Sequence, residues 1–244
     1  MQFYFQGEPL LNKQLPEMIA KAHAQGLYTI VSTNAQLLTQ SLANRLVKSG
    51  LDHIIVSIDG ISQASYEAYR VGGKLHLALD GLRYLNTARQ QYHSRICIEM
   101  QVLRLKTNEN EWKWISQHYR MFGATKLTFK TAQLYNYRNG HPLMPSQLKY
   151  ARYRRTADGT YILYRSLWRR IWPQHPCYRL WSGCVINTRG QVLPCCYDKA
   201  SQFTFGSIHQ TDIKNVWQSE SAKQFRKTIL DKQHLPLICQ ECNY

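Results

Sequence analysis

With 244 residues, 44% of them hydrophobic, the chain is long enough for one large domain, or for one domain and a small appendage, and too apolar for wholesale disorder. Its 31 Lys and Arg against 15 Asp and Glu give a net charge of +16, spread along the chain, which suits either an anionic partner or a solvated basic surface. No apolar run approaches the ~20 residues of a membrane span; Ile54 to Ile58 is only strand-sized, and no basic patch followed by an apolar stretch marks a secretory signal, so a cytoplasmic protein with no membrane partner is expected.

Gln2 to Gln6 reads as a strand ending in the polar turn Gly7-Glu8-Pro9. Asn12 is placed to cap a helix in which Leu15, Met18, Ile19 and Ala22 recur at helical spacing, with Gly26 ending it. Leu27 to Thr33 is β-rich and apolar, as for a strand buried on both faces. Thr39 caps a second helix through Leu42, Leu46 and Val47, stopped at Gly50, and His53 to Ile58 is a third strand. Ser62 opens a helical stretch that breaks at Gly72-Gly73 and resumes from Leu75 to Gln91. Arg95 to Leu103 is a fourth strand, Asn108 caps a helix through Trp112, Ile115 and Tyr119 that stops at Gly123, and Thr125 to Thr131 is a fifth strand.

This alternation argues for a parallel sheet covered by helices, open or curled into a barrel, with ligands at the C-terminal strand ends. Those ends are polar: Gly7-Glu8-Pro9, Thr33-Asn34, then Ser57, Asp59 and Gly60, and Lys130-Thr131. Ser57 and Asp59, two apart, are expected on one side of their strand. The bland alternative for Asp59 and Ser62 is helix capping.

From Leu134 to about Pro173 the rhythm fails in a stretch rich in Tyr, Trp and Arg, which reads as a basic connector with some helix. Such interleaving can stack on nucleic acid; a packing surface with snorkelling arginines is the favoured reading. The remainder holds six of the seven cysteines, Cys177, Cys184, Cys195, Cys196, Cys239 and Cys242, with Cys97 alone mid-chain. Val185 to Leu193 reads as a hairpin with Gly190 in the turn, followed by helices near Ile213 to Trp217 and Ser219 to Asp231. Clustered thiols in a cytosolic setting point to metal rather than disulfides. Thiolates can close a tetrahedral zinc site or hold an iron–sulfur cubane through one Cys per iron.

FQGEPLLN, STNAQLL, VSIDG with SYEAYRVGG, and Asn108-x-x-Glu111 together resemble a radical S-adenosylmethionine (radical SAM) enzyme. Cys177 with Trp181, VINTRGQVLPCCYD, Gly206, IKNVW, Arg226 and PLICQEC resemble the SPASM auxiliary-cluster domain found at the C-terminus of many such enzymes. The resemblance implies an α/β fold: an incomplete (β/α)6 partial TIM barrel, here from its second strand onward (1–135), a basic aromatic connector (136–172), and a small SPASM domain of a β-hairpin plus helices (173–244).

In that family a first strand and loop carry Cys-x3-Cys-x2-Cys, whose 4Fe-4S cluster cleaves S-adenosylmethionine to a 5′-deoxyadenosyl radical that takes hydrogen from a peptide or carbohydrate. This sequence has no such motif, which implies a family member without its first βα unit, not competent alone. Carried over by position, Gly7 and Glu8 match the segment meeting the methionine amino group, and Asn34 a position near the ribose. Ser57 and Arg70 match positions that hold the methionine carboxylate, and Asp59 is placed to meet ribose or substrate. Cys177, Cys195, Cys239 and Cys242 are the implied ligands of the auxiliary 4Fe-4S cluster, with Cys184 and Cys196 in reserve; no catalytic residue is implied. In sulfatase-maturing relatives an Asp follows the equivalent of Cys195; Cys196 stands there, which argues against that activity. The alternative from another class is a non-catalytic zinc protein whose basic surface grips an acidic partner such as nucleic acid.

Overall fold

The computed structural model describes residues 1–164, 177–231, 235–240 and 242. The chain divides into two compact units, Met1–Ile162 and Leu163–Tyr244.

In the first unit β1 (Ile30–Thr33), β2 (His53–Ser57), β3 (Cys97–Arg104) and β4 (Lys126–Thr131) form one sheet in that order, with every pairing parallel. Helix α1 (Leu15–Ala24) precedes β1, and α2 (Gln40–Lys48), α3 (Gln63–Glu67), α4 (Leu75–Gln91) and α5 (Trp112–His118) lie between the strands in sequence. Val31, Ile54, Val56, Ile98, Met100 and Val102 alternate onto one face and join Ile19, Leu46, Leu82, Leu85 and Ile115 of the helices in a single core. The opposite face carries Ser32, His53, Ser57, Glu99, Gln101, Lys126, Thr128 and Lys130 by the same register. The strands are therefore apolar toward the helices and largely polar on the other side, which corrects the expectation that β1 is buried on both faces.

The expected first strand shrinks to a single parallel bridge, Gln2 to Ile30, with the Phe3 amide donating to the Ile30 carbonyl at 2.8 Å. Thr39 and Ser62 cap as expected, Thr39 accepting from the Leu42 amide and Ser62 forming a reciprocal box with Ser65. Asn12 and Asn108 do not. Asn12 accepts from the Gln14 amide at 2.9 Å, too early in the chain, and α1 starts after Gln14 with Pro16 in its first turn. Asn108 is fully buried and spends its side chain on other segments, so α5 starts after Glu111 instead.

The connector expected over 136–172 lies outside the described residues from 165 onward. Its earlier part carries two short paired strands, β5 (Tyr153–Arg155) and β6 (Tyr161–Leu163), and a 3-10 turn at Leu148–Tyr150.

In the second unit β7 (Val185–Ile186), β8 (Gln191–Leu193) and β9 (Gly206–Ser207) form an antiparallel sheet in that order. Gly190 takes φ +71° in the expected hairpin, where Asn187 Oδ1 accepts from the Arg189 and Gln191 amides. Short helices cover Arg179–Ser182, Ile213–Trp217, Glu220–Asp231 and Leu237–Gln240. Leu180, Val192, Phe205, Val216, Ala222 and Ile229 form the core of this unit.

On the polar face of the first sheet, Glu99 is nearly covered, at 4% side-chain exposure, between Lys126 Nζ at 2.7 Å and His53 Nε2 at 2.9 Å. Burial alone would raise its carboxyl, but hydrogen bonds from Lys126 and Thr128 and the Lys126 and His53 charges outweigh burial and hold it below its ordinary 4.5. A carboxyl depressed in the folded state stabilises above the unfolded value and loses that contribution as pH falls through the folded one. Glu99→Gln is therefore expected to lower stability at pH 7 by about 1–3 kcal/mol. It should also flatten the decline of stability below about pH 4.5, measured by urea unfolding across a pH series.

Candidate functional site

The C-terminal ends of the parallel strands gather the polar residues singled out from sequence. Gly7 turns the chain at φ +79° with open space where a side chain would stand. Glu8 follows, and its carboxylate binds the tip of β1: Oε1 accepts from Thr33 Oγ1 at 2.6 Å and the Leu10 amide at 3.0 Å, and Oε2 from the Asn34 amide at 2.9 Å. Asn34 folds its own Oδ1 onto the Gln36 amide at 3.0 Å, with Ala35 between them at φ +58°. Glu8 and Asn34 are thus joined directly.

Asp59, just past β2, is fully buried. Its Oδ2 accepts from Arg70 Nε at 2.7 Å and its Oδ1 from the Leu103 amide of β3 at 2.7 Å. Burial pushes this carboxyl up, opposed by the Arg70 charge and the Leu103 hydrogen bond; the net direction is upward. Gly60 follows because α3 approaches so closely that a Cβ there would stand 2.3 Å from Ser65 Oγ. Asn108 locks the same corner, donating to the Asp59 and Leu103 carbonyls at 2.9 and 2.8 Å and accepting from the Leu105 amide and Trp112 Nε1. Asp59 engages Arg70 through Nε, and among the described residues no hydrogen bond uses the terminal amino groups of the guanidinium.

Two residues not singled out from sequence link these pairs. Gln36 Nε2 donates to the Tyr66 hydroxyl at 3.2 Å and the Lys74 carbonyl at 3.1 Å. Tyr66, fully buried, lies one helical turn before Arg70, whose amide donates to the Tyr66 carbonyl at 2.9 Å. Burial raises the Tyr66 hydroxyl, partly offset by Arg70. Ser57 is buried in register with Gln101 at the end of β2, and among the described residues no hydrogen bond joins its side chain to either pair.

In the second unit Cys177, Cys184 and Cys239 pack against one core. Cys195 follows β8; burial and the neighbouring thiols of Cys196 and Cys242 push its thiol up, against the Tyr197 amide at 3.4 Å. Cys196 is exposed, and no disulfide joins any of the cysteines. Among the described residues no three His, Cys, Asp or Glu side chains are arranged to hold a single metal ion, which leaves the zinc alternative without support. A cubane makes no such demand, because each thiolate takes a different iron. Cys177, Cys184 and Cys239, free thiols packed on one small core, are the donor type that such a cluster takes.

Comparison with known proteins decides the family. Residues 3–109 match the radical SAM superfamily and residues 177–243 match SPASM, an iron–sulfur cluster-binding domain. The chain belongs to the radical SAM superfamily and carries a SPASM domain. Across all of this radical SAM chain it is 26% identical to the PqqA peptide cyclase of Granulibacter bethesdensis, covering 67% of that protein. It is 24% identical to the PqqA peptide cyclase of Rhizobium meliloti over 97% of the chain and 64% of that protein. The chain thus spans about two thirds of the length of these relatives. Among solved structures, Streptococcus suis SuiB bound to S-adenosylmethionine matches with TM-score 0.64 at 12% identity, over 97% of this chain and 58% of that one. Histidine-tagged anSMEcpe with bound AdoMet matches with TM-score 0.60 at 17% identity, over 99% of this chain and 68% of that one. The shared fold is the partial radical SAM barrel. Among the described residues no helix is long and apolar enough to cross a membrane.

Asp59→Ala would leave the Leu103 amide and the Arg70 guanidinium without their acceptor. The expected loss in urea unfolding lies toward the lower end of the ~3–5 kcal/mol typical of a broken buried pair, because Arg70 keeps some contact with water. Asp59→Asn, which keeps an acceptor for Leu103, should lose less.

Proposed function

We propose that this chain binds S-adenosylmethionine at the strand tips of its first unit, holds an auxiliary 4Fe-4S cluster in its second, and belongs to a protein that modifies a peptide by hydrogen abstraction. The observation that carries the reading is the Arg70 guanidinium, pre-oriented by a fully buried Asp59 with its terminal amino groups still to be used. A charge held in one orientation before the ligand arrives loses little entropy on binding a carboxylate. Arg70 would take the methionine carboxylate, with Ser57 beside it. Gly7 and Glu8 would meet the amino group, where the open space over Gly7 lets a ligand approach the backbone. Asn34 would stand near the ribose. Asp59 acts through Arg70 in this reading, since its oxygens are occupied. When bound and reduced, S-adenosylmethionine supplies the hydrogen-abstracting power of the family.

The cluster that delivers that electron does not fit the residues present. The sequence holds no Cys-x3-Cys-x2-Cys, and Cys97 opens β3 at the end opposite the strand tips. In the second unit Cys177, Cys195, Cys239 and Cys242 are the proposed auxiliary ligands, with Cys184 and Cys196 in reserve. A peptide substrate is favoured by the PqqA peptide cyclases, which align with nearly the whole chain.

Calorimetric titration of the anaerobic full chain with S-adenosylmethionine tests the first site. Arg70→Met should weaken binding by about tenfold to a hundredfold, the worth of a charged hydrogen bond. Reconstitution tests the second: iron with acid-labile sulfide is expected, reduced by Cys195→Ala, and stoichiometric zinc without iron would refute the cluster. Supplied with reductant and S-adenosylmethionine, the chain by itself should release no 5′-deoxyadenosine at turnover levels.

A further inference from the structure

Arg226 projects from the helix Glu220–Asp231 into the cysteine-bearing unit. Its Nε donates to the Leu180 carbonyl at 3.3 Å and its Nη1 to the Trp217 carbonyl at 2.9 Å. The guanidinium lies over the Trp217 ring at 4.1 Å and near the Phe205 ring at 5.8 Å. Its third nitrogen, Nη2, is buried and, among the described residues, has no hydrogen-bond partner. Folded proteins seldom bury an N–H without an acceptor, and one on a cation is the more costly kind.

The place of this orphan donor suggests what it awaits. Leu180 lies in the turn between Cys177 and Cys184, and its amide donates to the Cys177 carbonyl at 3.0 Å. Cys177, Cys184 and Cys239 pack on the core that contains Leu180 and Phe205, both touched by Arg226. The missing acceptor therefore belongs beside the thiols.

We propose that Arg226 Nη2 donates a hydrogen bond to a sulfur of the auxiliary iron–sulfur cluster, making Arg226 a positioning residue that raises the reduction potential of that cluster. The inference rests on the cluster reading above. A cluster that accepts one electron gains one negative charge, shared with its sulfurs. A fixed cationic donor favours that reduced state, and hydrogen bonds to sulfur are among the factors that set such potentials. No bond or proton changes hands; only the one-electron equilibrium shifts.

The test uses the full chain, reconstituted anaerobically and titrated with dithionite while paramagnetic resonance follows the reduced cluster. Arg226→Met, which removes charge and donor, should keep its iron and sulfide but shift the reduction equilibrium at least tenfold toward the oxidised form, about 59 mV for one electron. Arg226→Lys keeps the charge without the planar fork and should fall between Met and wild type. If Arg226→Met does not load, Arg226→Lys decides. A loaded variant with the wild-type midpoint would overturn the proposal while leaving the cluster in place. So would loss of the cluster from both variants, which would assign Arg226 to folding alone. Failure of the wild-type chain to take up iron would instead remove the cluster reading itself, a separate failure with a separate signature.

Discussion

A carboxylate cannot be buried without obliging its surroundings to supply donors, and Asp59 imposes that obligation on the first unit. The donors come from distant stretches: the Arg70 guanidinium after α3, and the Leu103 amide near the end of β3. The Asp59 carbonyl recruits a third, the Asn108 side chain before α5. One residue thereby fixes the spacing of two strand ends and the segments beyond them. Glu111 repeats the device beside it, accepting from the Ile61 amide at 2.9 Å and Ser65 Oγ at 2.7 Å, so the start of α3 is held from both sides. Glu8 does the same for β1. The C-terminal end of the sheet is thus set by carboxylates saturated with hydrogen bonds, while Arg70 keeps reach to spare.

Much of this was legible from local signals. Strand positions followed from short β-rich runs, and helix stops from Gly26, Gly50 and Gly123, all at positive φ. Thr39 and Ser62 declared their caps, and the hairpin around Gly190 could be read directly. What escaped depends on contacts remote in sequence. Asn108 has the right residue type for a cap, yet a buried amide that can serve four backbone and ring partners serves those first. The Arg179–Ser182 helix and β9 are too short to show periodicity. The N-terminal segment has a strand's composition, but its pairing with β1 is the single bridge Gln2 to Ile30, with the Ile30 amide donating to the Met1 carbonyl and the Phe3 amide to the Ile30 carbonyl.

The site divides along the same line. Gly7, Glu8, Asn34 and Asp59 are legible because polar residues at successive strand tips are informative together, whereas Arg70 comes only from the family resemblance. Their relations did not: no rule of spacing pairs Asp59 with Leu103, or Gln36 with Tyr66 across 30 positions. Tyr66 was overlooked because a Tyr on an amphipathic helix reads as core, which it also is.

The second unit faces the opposite problem, too little apolar material rather than buried charge. Its core rests on Leu180, Val192, Phe205, Val216, Ala222 and Ile229, with thiols filling its margin. Small units of this kind commonly need a staple, and no disulfide supplies one here. Where a metal group is the staple, its binding energy becomes folding energy. The orphan nitrogen of Arg226 has the same logic: its two satisfied nitrogens already tie the Leu180 turn to the Trp217 helix end. In the proposal above, holding the turn between Cys177 and Cys184 would bring the unsatisfied donor to the thiols at no further conformational cost. Anchoring this turn and presenting a donor beside it would then be two consequences of one side-chain placement.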